Sequence, residues 1–212
     1  MSNHKLVYGF GVNDADYVIY TAVKEYHANE SGKTKLKRRI IWSCPFYERW
    51  KAMIRRCFHR KEQERSPTYI GCTVCEEWRY FSNFRAWMIT QDWEGNQLDK
   101  DLIIPGNKVY SPETCIFISR GLNTFLIEKA AGRGEWPLGV TWSNYHKKFK
   151  AVCSNPFNKK QDHLGYFSAP EPAHQAWLKH KLELAKMLAA EQDDPRVAKA
   201  LVERYENYQQ NA

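Results

Sequence analysis

Asp99 and Asp101 flank Lys100, and their types and spacing make them a candidate pair for holding a divalent metal ion. On a regular strand alternate side chains share a face, so both carboxylates would point one way and Lys100 the other. The same spacing also suits two solvated carboxylates at a strand start. A second chemical feature is the run Lys147-Lys148-Phe149-Lys150-Ala151-Val152-Cys153. Alternation sends Phe149, Ala151 and Cys153 to one face and Lys148, Lys150 and Val152 to the other. In the neighbouring runs Val140 and Leu164 point inward, which turns Thr141, Ser143, Gln161 and His163 outward. Lysines on such a face suit phosphates, and the hydroxyl, amide and imidazole groups suit base edges. The third feature is Cys72-x-x-Cys75, which has metal-ligand spacing. Its only nearby complement, Cys44 with Cys57, fits no zinc ribbon closely. The six cysteines are therefore read as reduced, buried thiols, and no structural zinc is expected.

The charge balance points the same way. The 212 residues carry a net charge of +8, unevenly spread. Twelve Lys or Arg face three Glu between Lys33 and Arg65, and five Lys face no acid between Gly139 and Gln161. Concentrated positive charge favours a polyanion, because bound phosphates release condensed counterions. A solvated basic surface is the bland alternative. Aromatics make up 14% of the chain, enough to build compact cores and to exclude a disordered tail. No run of 18 apolar residues exists, and the start MSNHKLVYGFG has no apolar signal segment. The expectation is a soluble protein of the cytoplasm that engages no membrane.

The elements that must position these groups can be read from periodicity. Strands are expected over Tyr17–Tyr20 and Arg38–Trp42, with a loop over Asn29–Lys35. Pro45 opens a helix whose apolar stripe is Phe46, Trp50, Met53, Ile54, Cys57 and Phe58. Arg49, Lys51, Arg55, Arg56 and Arg60 fall outside that stripe and are expected to face water or phosphate. A shorter helix is expected near Phe81–Ile89. Residues 98–126 read strand, loop, strand, helix, with Asn123 on the helix, and Ala130–Gly134 reads as a linker. Three strands follow near 138–142, 147–153 and 161–167. Pro170 then starts a long helix to about Ala190, and a last helix follows Asp194-Pro195.

Two family resemblances attach to these residues. Gly139-Val140-x-Trp142, Lys148-Phe149-Lys150-Ala151, Leu164-Gly165-Tyr166-Phe167 and Glu171-x-Ala173-x-x-Ala176-Trp177 resemble the ethylene-response-factor type of DNA-binding domain, also found in phage homing endonucleases and integrases. The resemblance covers about residues 136–182. It implies a three-stranded sheet in the major groove, with DNA contacts at Thr141, Ser143, Tyr145, Lys150, Val152, Gln161 and His163. Val152 and Ser154 stand where that family usually has charged readers. The first half is similar to phage HNH endonucleases. The pieces that carry this are Trp50-x-x-Met53-x-x-Arg56-Cys57, Tyr69-x-Gly71-Cys72-x-Val74-Cys75-x-x-Trp78, Leu98-Asp99-Lys100-Asp101, Gly106-Asn107-Lys108-x-Tyr110-Ser111-Pro112-Glu113-x-Cys115, and Asn123. That likeness implies a ββα site in which Asp99 and Asn123 hold one divalent metal, Mg or Mn, with Asp99, Asp101 and Asn123 as its catalytic residues. The family's general-base position holds Lys100 here, and its central Asn position holds Thr114. A lysine of ordinary pKa is protonated at neutral pH and abstracts no proton.

The fold class expected is α+β: an HNH-like domain over residues 1–130, a sheet-and-helix DNA-binding domain over 133–190, and a terminal helix over 191–212. The expected partner is double-stranded DNA, contacted by Thr141, Ser143, Tyr145, Lys148, Lys150, Gln161 and His163, and by Arg49, Arg55 and Arg56 along the backbone. Two functions stay open: a phage-type homing endonuclease that hydrolyses phosphodiesters with a metal, and a non-catalytic DNA-binding descendant of one. A third reading makes Trp78, Tyr80 and Phe81 a protein-docking surface.

Overall fold

The computed structural model describes residues 6–28, 34–127 and 135–210. Among them the elements run β1 (Tyr20–Ala28), β2 (Thr34–Ser43), α1 (Pro45–Phe58), α2 (Arg60–Arg65), β3 (Thr73–Val74), α3 (Phe81–Ile89), β4 (Gln97–Asp99) and β5 (Val109–Tyr110). They continue with β6 (Ile116–Ile118), α4 (Arg120–Leu126), β7 (Val140–Ser143), β8 (Lys148–Ser154), β9 (Gln161–Phe167), α5 (Pro170–Ala190) and α6 (Pro195–Gln210). The sheets are small and separate, so the chain is α+β. No described helix is long and apolar enough to cross a membrane.

The chain forms two compact units, one from Met1–Trp93 and Asn107–Ile116, the other from Glu94–Gly106 and Phe117–Ala212. This division differs from the one expected after residue 130. Most of the strand–loop–strand–helix segment belongs with the C-terminal elements. The terminal helix is not a separate part either, since α6 packs along α5. The expected linker at 130–134 lies outside the described residues.

In the first unit α1 buries Tyr47, Trp50, Met53, Ile54 and Cys57, close to the expected stripe. Trp50 meets Phe81 of α3, and its indole N–H donates to the Trp78 carbonyl at 2.7 Å. Trp78 and Phe81 are fully buried and only Tyr80 is exposed. Trp78 and Phe81 therefore form core, which leaves only Tyr80 of the expected docking surface exposed. The first strand is also displaced: β1 begins at Tyr20, where the expected strand 17–20 ends, and pairs antiparallel with β2.

In the second unit β7, β8 and β9 form one antiparallel sheet, in that order. Val140, Ala151 and Ala173 make its core, with Trp136, Phe149, Leu164 and Phe167 packed against it. The sheet lies on α5, which Pro170 opens and whose buried stripe includes Ala173, Trp177, Leu178, Leu184 and Ala185. Gly139 enters β7 at φ +75°, and a Cβ there would overlap the Trp177 indole. Only glycine meets both conditions, positive φ and no side chain.

Gly139→Ala should therefore cost about 3 kcal/mol, combining overpacking with a strained φ. Thermal unfolding checks this; a midpoint within a degree or two of wild type would mean that β7 can lift off Trp177 freely.

Candidate nucleic-acid interface

The face of the sheet away from α5 takes its chemistry from the register. Residues paired across strands share a face. Thr141 pairs Lys150, Ser143 pairs Lys148, Val152 pairs His163 and Ser154 pairs Gln161. Thr141, Lys148, Gln161 and His163 are exposed, while Ser143, Lys150 and Val152 are half-buried. Tyr145, in the β7–β8 turn, is 90% exposed. The structure thus brings Thr141, Ser143, Lys148, Lys150, Gln161 and His163 onto one surface, with Tyr145 at its turn.

Strict alternation fails in one place. The pairing slips between Ala151 and Val152, where Ala151 meets Gly165 but Val152 meets His163. Leu164 is the extra residue of this bulge, and Gly165 absorbs the kink at φ +131°. Leu164 and Phe167 both reach the core, three positions apart rather than two, and Tyr166 turns outward opposite Lys150. The Tyr166 ring then lies 4.0 Å from His146 and 4.8 Å from His163, centroid to centroid, and Tyr145 meets His146 at 4.8 Å. A ring cluster of Tyr145, His146, Tyr166 and His163 lies beside the lysines. His146 and Tyr166 were missed by sequence reasoning. The signal that could have found Tyr166 is Gly165 inside a strand, which marks bulges, whereas His146 lies in the β7–β8 turn, where alternation gives no signal.

The β8–β9 turn is fixed by one carboxylate. Asp162 accepts hydrogen bonds from Asn155 at 2.8 Å and from the His180 ring of α5 at 2.8 Å. The bond from His180, then that from Asn155, holds its pKa below the usual carboxylate range. At the other end of the sheet, the His174 ring bonds the Leu138 carbonyl at 2.9 Å. Both ends of the sheet are tied to α5, so its outer face is presented on a rigid support.

The basic helix α1 is less accessible to phosphate than expected. Arg55 is exposed but pairs with Glu62 at 3.3 Å. Arg56 turns inward: it hydrogen-bonds the Tyr110 side chain and lies over the Tyr69 ring at 5.4 Å. This corrects its assignment to phosphate. The stripe on α1 shows which residues face the core, but Tyr110 arrives from 54 positions downstream and gives no local signal. Arg49 remains half-exposed.

Of the residues expected to hold a metal, Asp99 ends β4, so the alternation meant to align it with Asp101 stops there. Its Oδ1 accepts the backbone N–H groups of Asp101 at 3.0 Å and Leu102 at 2.7 Å, closing a turn. Burial, and then the Asp101 carboxylate, push the Asp99 pKa upward. Lys100 is buried and donates to Asp101 at 3.1 Å. Asp101 also borders a shallow cleft of about 320 Å³ with Pro105, Gly106, Arg204, Asn207 and Tyr208. The Asn123 amide donates to the Gln97 side chain. Asp99 Oδ1 and the Asn123 amide N–H are thus each engaged by other groups. Among the described residues no three His, Cys, Asp or Glu side chains converge as a metal ion requires. Cys72 donates its thiol to the Thr68 carbonyl at 3.8 Å, and burial pushes the Cys75 thiol up to about 11.

Compared with family models, with curated proteins and with solved structures, the chain matches none.

A raised carboxyl pKa means that ionisation opposes folding. The stability Asp99 contributes is complete below the unfolded value of about 3.9 and falls as pH rises through its folded value. Asp99→Asn keeps an acceptor oxygen and removes the charge, so its unfolding midpoint at pH 7 should lie above wild type, with a flatter profile between pH 4 and 7. A lower midpoint would show that the charge itself is needed there.

Proposed function

We propose that this chain is a DNA-binding protein that reads duplex DNA with the outer face of β7–β9 and does not cleave it. The observation that carries this is a solvent-facing sheet surface with Lys148, Lys150, Thr141, Gln161 and His163 on one side and the packed core on the other. Two lysines supply the sequence-independent attraction to phosphate, which gains from counterion release. Thr141, Gln161 and His163 can donate to and accept from base edges, and Tyr145 and Tyr166 add flat apolar area. A sheet of this width suits the major groove, about 12 Å across. None of the residues on this face is arginine, which favours modest sequence discrimination, since arginine makes the commonest bidentate contact to guanine. The role that fits is a regulator, or a block on a host function, derived from a phage-type HNH nuclease.

Metal-assisted cleavage is the second reading. It is favoured by the order β4, β6, α4, with Asn123 of the helix reaching back to the first strand at Gln97. For this chemistry Asp99 would offer Oδ2, since its turn uses Oδ1, and Asn123 its amide oxygen, since its N–H group serves Gln97.

Lys148→Gln with Lys150→Gln should lower the salt dependence of duplex binding by nearly two units of log–log slope, about 0.9 for each phosphate no longer neutralised. Fluorescence anisotropy over a salt series measures it, and an unchanged slope would remove the sheet from the interface. In the same preparations, supercoiled plasmid with Mg or Mn should stay un-nicked. Nicking by wild type that disappears in Asp99→Ala would establish the second reading instead.

A further inference from the structure

The β1–β2 hairpin is the least explained part of the first unit. It is two strands of nine and ten residues. A two-stranded ribbon alone is marginal in water, because it lacks a face to bury. Here none of residues 20–26 and 36–43 is buried, so both faces meet solvent. Tyr26 is 73% exposed, and Tyr20, Leu36, Ile40, Ile41 and Trp42 are also well exposed.

The register sorts these side chains. One face holds the pairs Ala22–Ile40, Lys24–Arg38 and Tyr26–Leu36, and the other holds Thr21–Trp42, Val23–Arg39 and Glu25–Lys37. Arg39 is neutralised by Glu25 at 2.6 Å. Lys24 and Arg38 stand directly opposite each other, and like charges in that position destabilise a ribbon. Among the hairpin residues whose side chains are described, three further cations remain, Lys24, Lys37 and Arg38, two of them in mutual repulsion. An apolar protein partner would have to desolvate those cations, which is costly. A bilayer surface takes one apolar face and one polar face, whereas both faces here mix apolar and basic groups. A polyanion relieves the repulsion and accommodates the aromatic and aliphatic edges.

We infer that the β1–β2 hairpin is a second nucleic-acid contact, a ribbon that lies in a groove of duplex DNA with Lys24, Lys37 and Arg38 on phosphates. At about 3.4 Å per residue it is roughly 30 Å long, and the major groove admits a two-stranded ribbon. This rests on the reading of the chain as a DNA-binding protein, but it concerns a surface in the other compact unit from β7–β9.

The test uses the full chain and a duplex of about 30 base pairs and arbitrary sequence, with anisotropy measured over a salt series. Lys24→Gln with Arg38→Gln removes the opposed pair at exposed positions, so folding should persist, as circular dichroism and the unfolding midpoint will show. The expected result is a fall of about 1.8 in log–log slope and about a tenfold weaker complex near 100 mM salt. If wild type binds duplex and this variant binds with the same slope and affinity, the hairpin inference is overturned and the sheet reading stands. If wild type binds no duplex at low salt, both fall. Loss of binding to phosphatidylserine-containing vesicles with duplex binding unchanged would also overturn the inference, in favour of a membrane contact.

Discussion

A buried ammonium group organises the second unit. Lys181 of α5 is buried, donates to the Phe125 carbonyl at 2.9 Å, and lies 3.4 Å from the Phe125 ring centroid. Phe125 sits in the last turn of α4, where helix carbonyls lack intrahelical partners and the dipole favours a cation. The Tyr205 and Trp177 rings complete the surround at 5.6 and 5.9 Å. An uncompensated buried cation would cost several kcal/mol, so hydrogen bond, helix end and rings must all be in place together. One side chain thereby ties α4, α5 and α6 into a single body. Trp177 in turn carries Gly139 and the start of β7. The outer sheet face is thus supported by the same cluster that binds α4 to the long helix.

This explains which parts of the fold could be read from sequence. The helices α1, α3 and α5 were legible almost to the residue, because each has a one-sided apolar stripe and two of them open on proline. The strands of β7–β9 were legible because one face is buried and the alternation is visible. The hairpin was legible only in part. With both faces in water it has no alternation to detect, so its strands were placed too short. The boundary after residue 130 was misplaced because Lys181 reads as a surface residue until Phe125 and Tyr205, 56 and 24 positions away, close around it.

The candidate site followed the same logic. Lys148, Lys150, Thr141, Gln161 and His163 were placed by simple alternation and share the outer face. Tyr166 was not, because a bulge is a backbone event, and His146 was not, because it lies in a turn. Arg56 shows the opposite error. Its residue type suggested phosphate, yet Tyr110 takes it. Charged side chains declare their chemistry in sequence but not their partners.

The surplus residue in β9 has a consequence for how this segment can change. Leu164 and Gly165 shift the parity of everything after them, so Tyr166 and Phe167 exchange sides relative to an unbroken strand. A single-codon deletion of Leu164 or Gly165 would remove the bulge and keep Tyr166 outward and Phe167 inward, whereas a deletion elsewhere in β9 would turn one end of the strand over. Point substitutions can drift on the exposed surface, while the bulge is the one place where β9 can lose a residue without exchanging its faces.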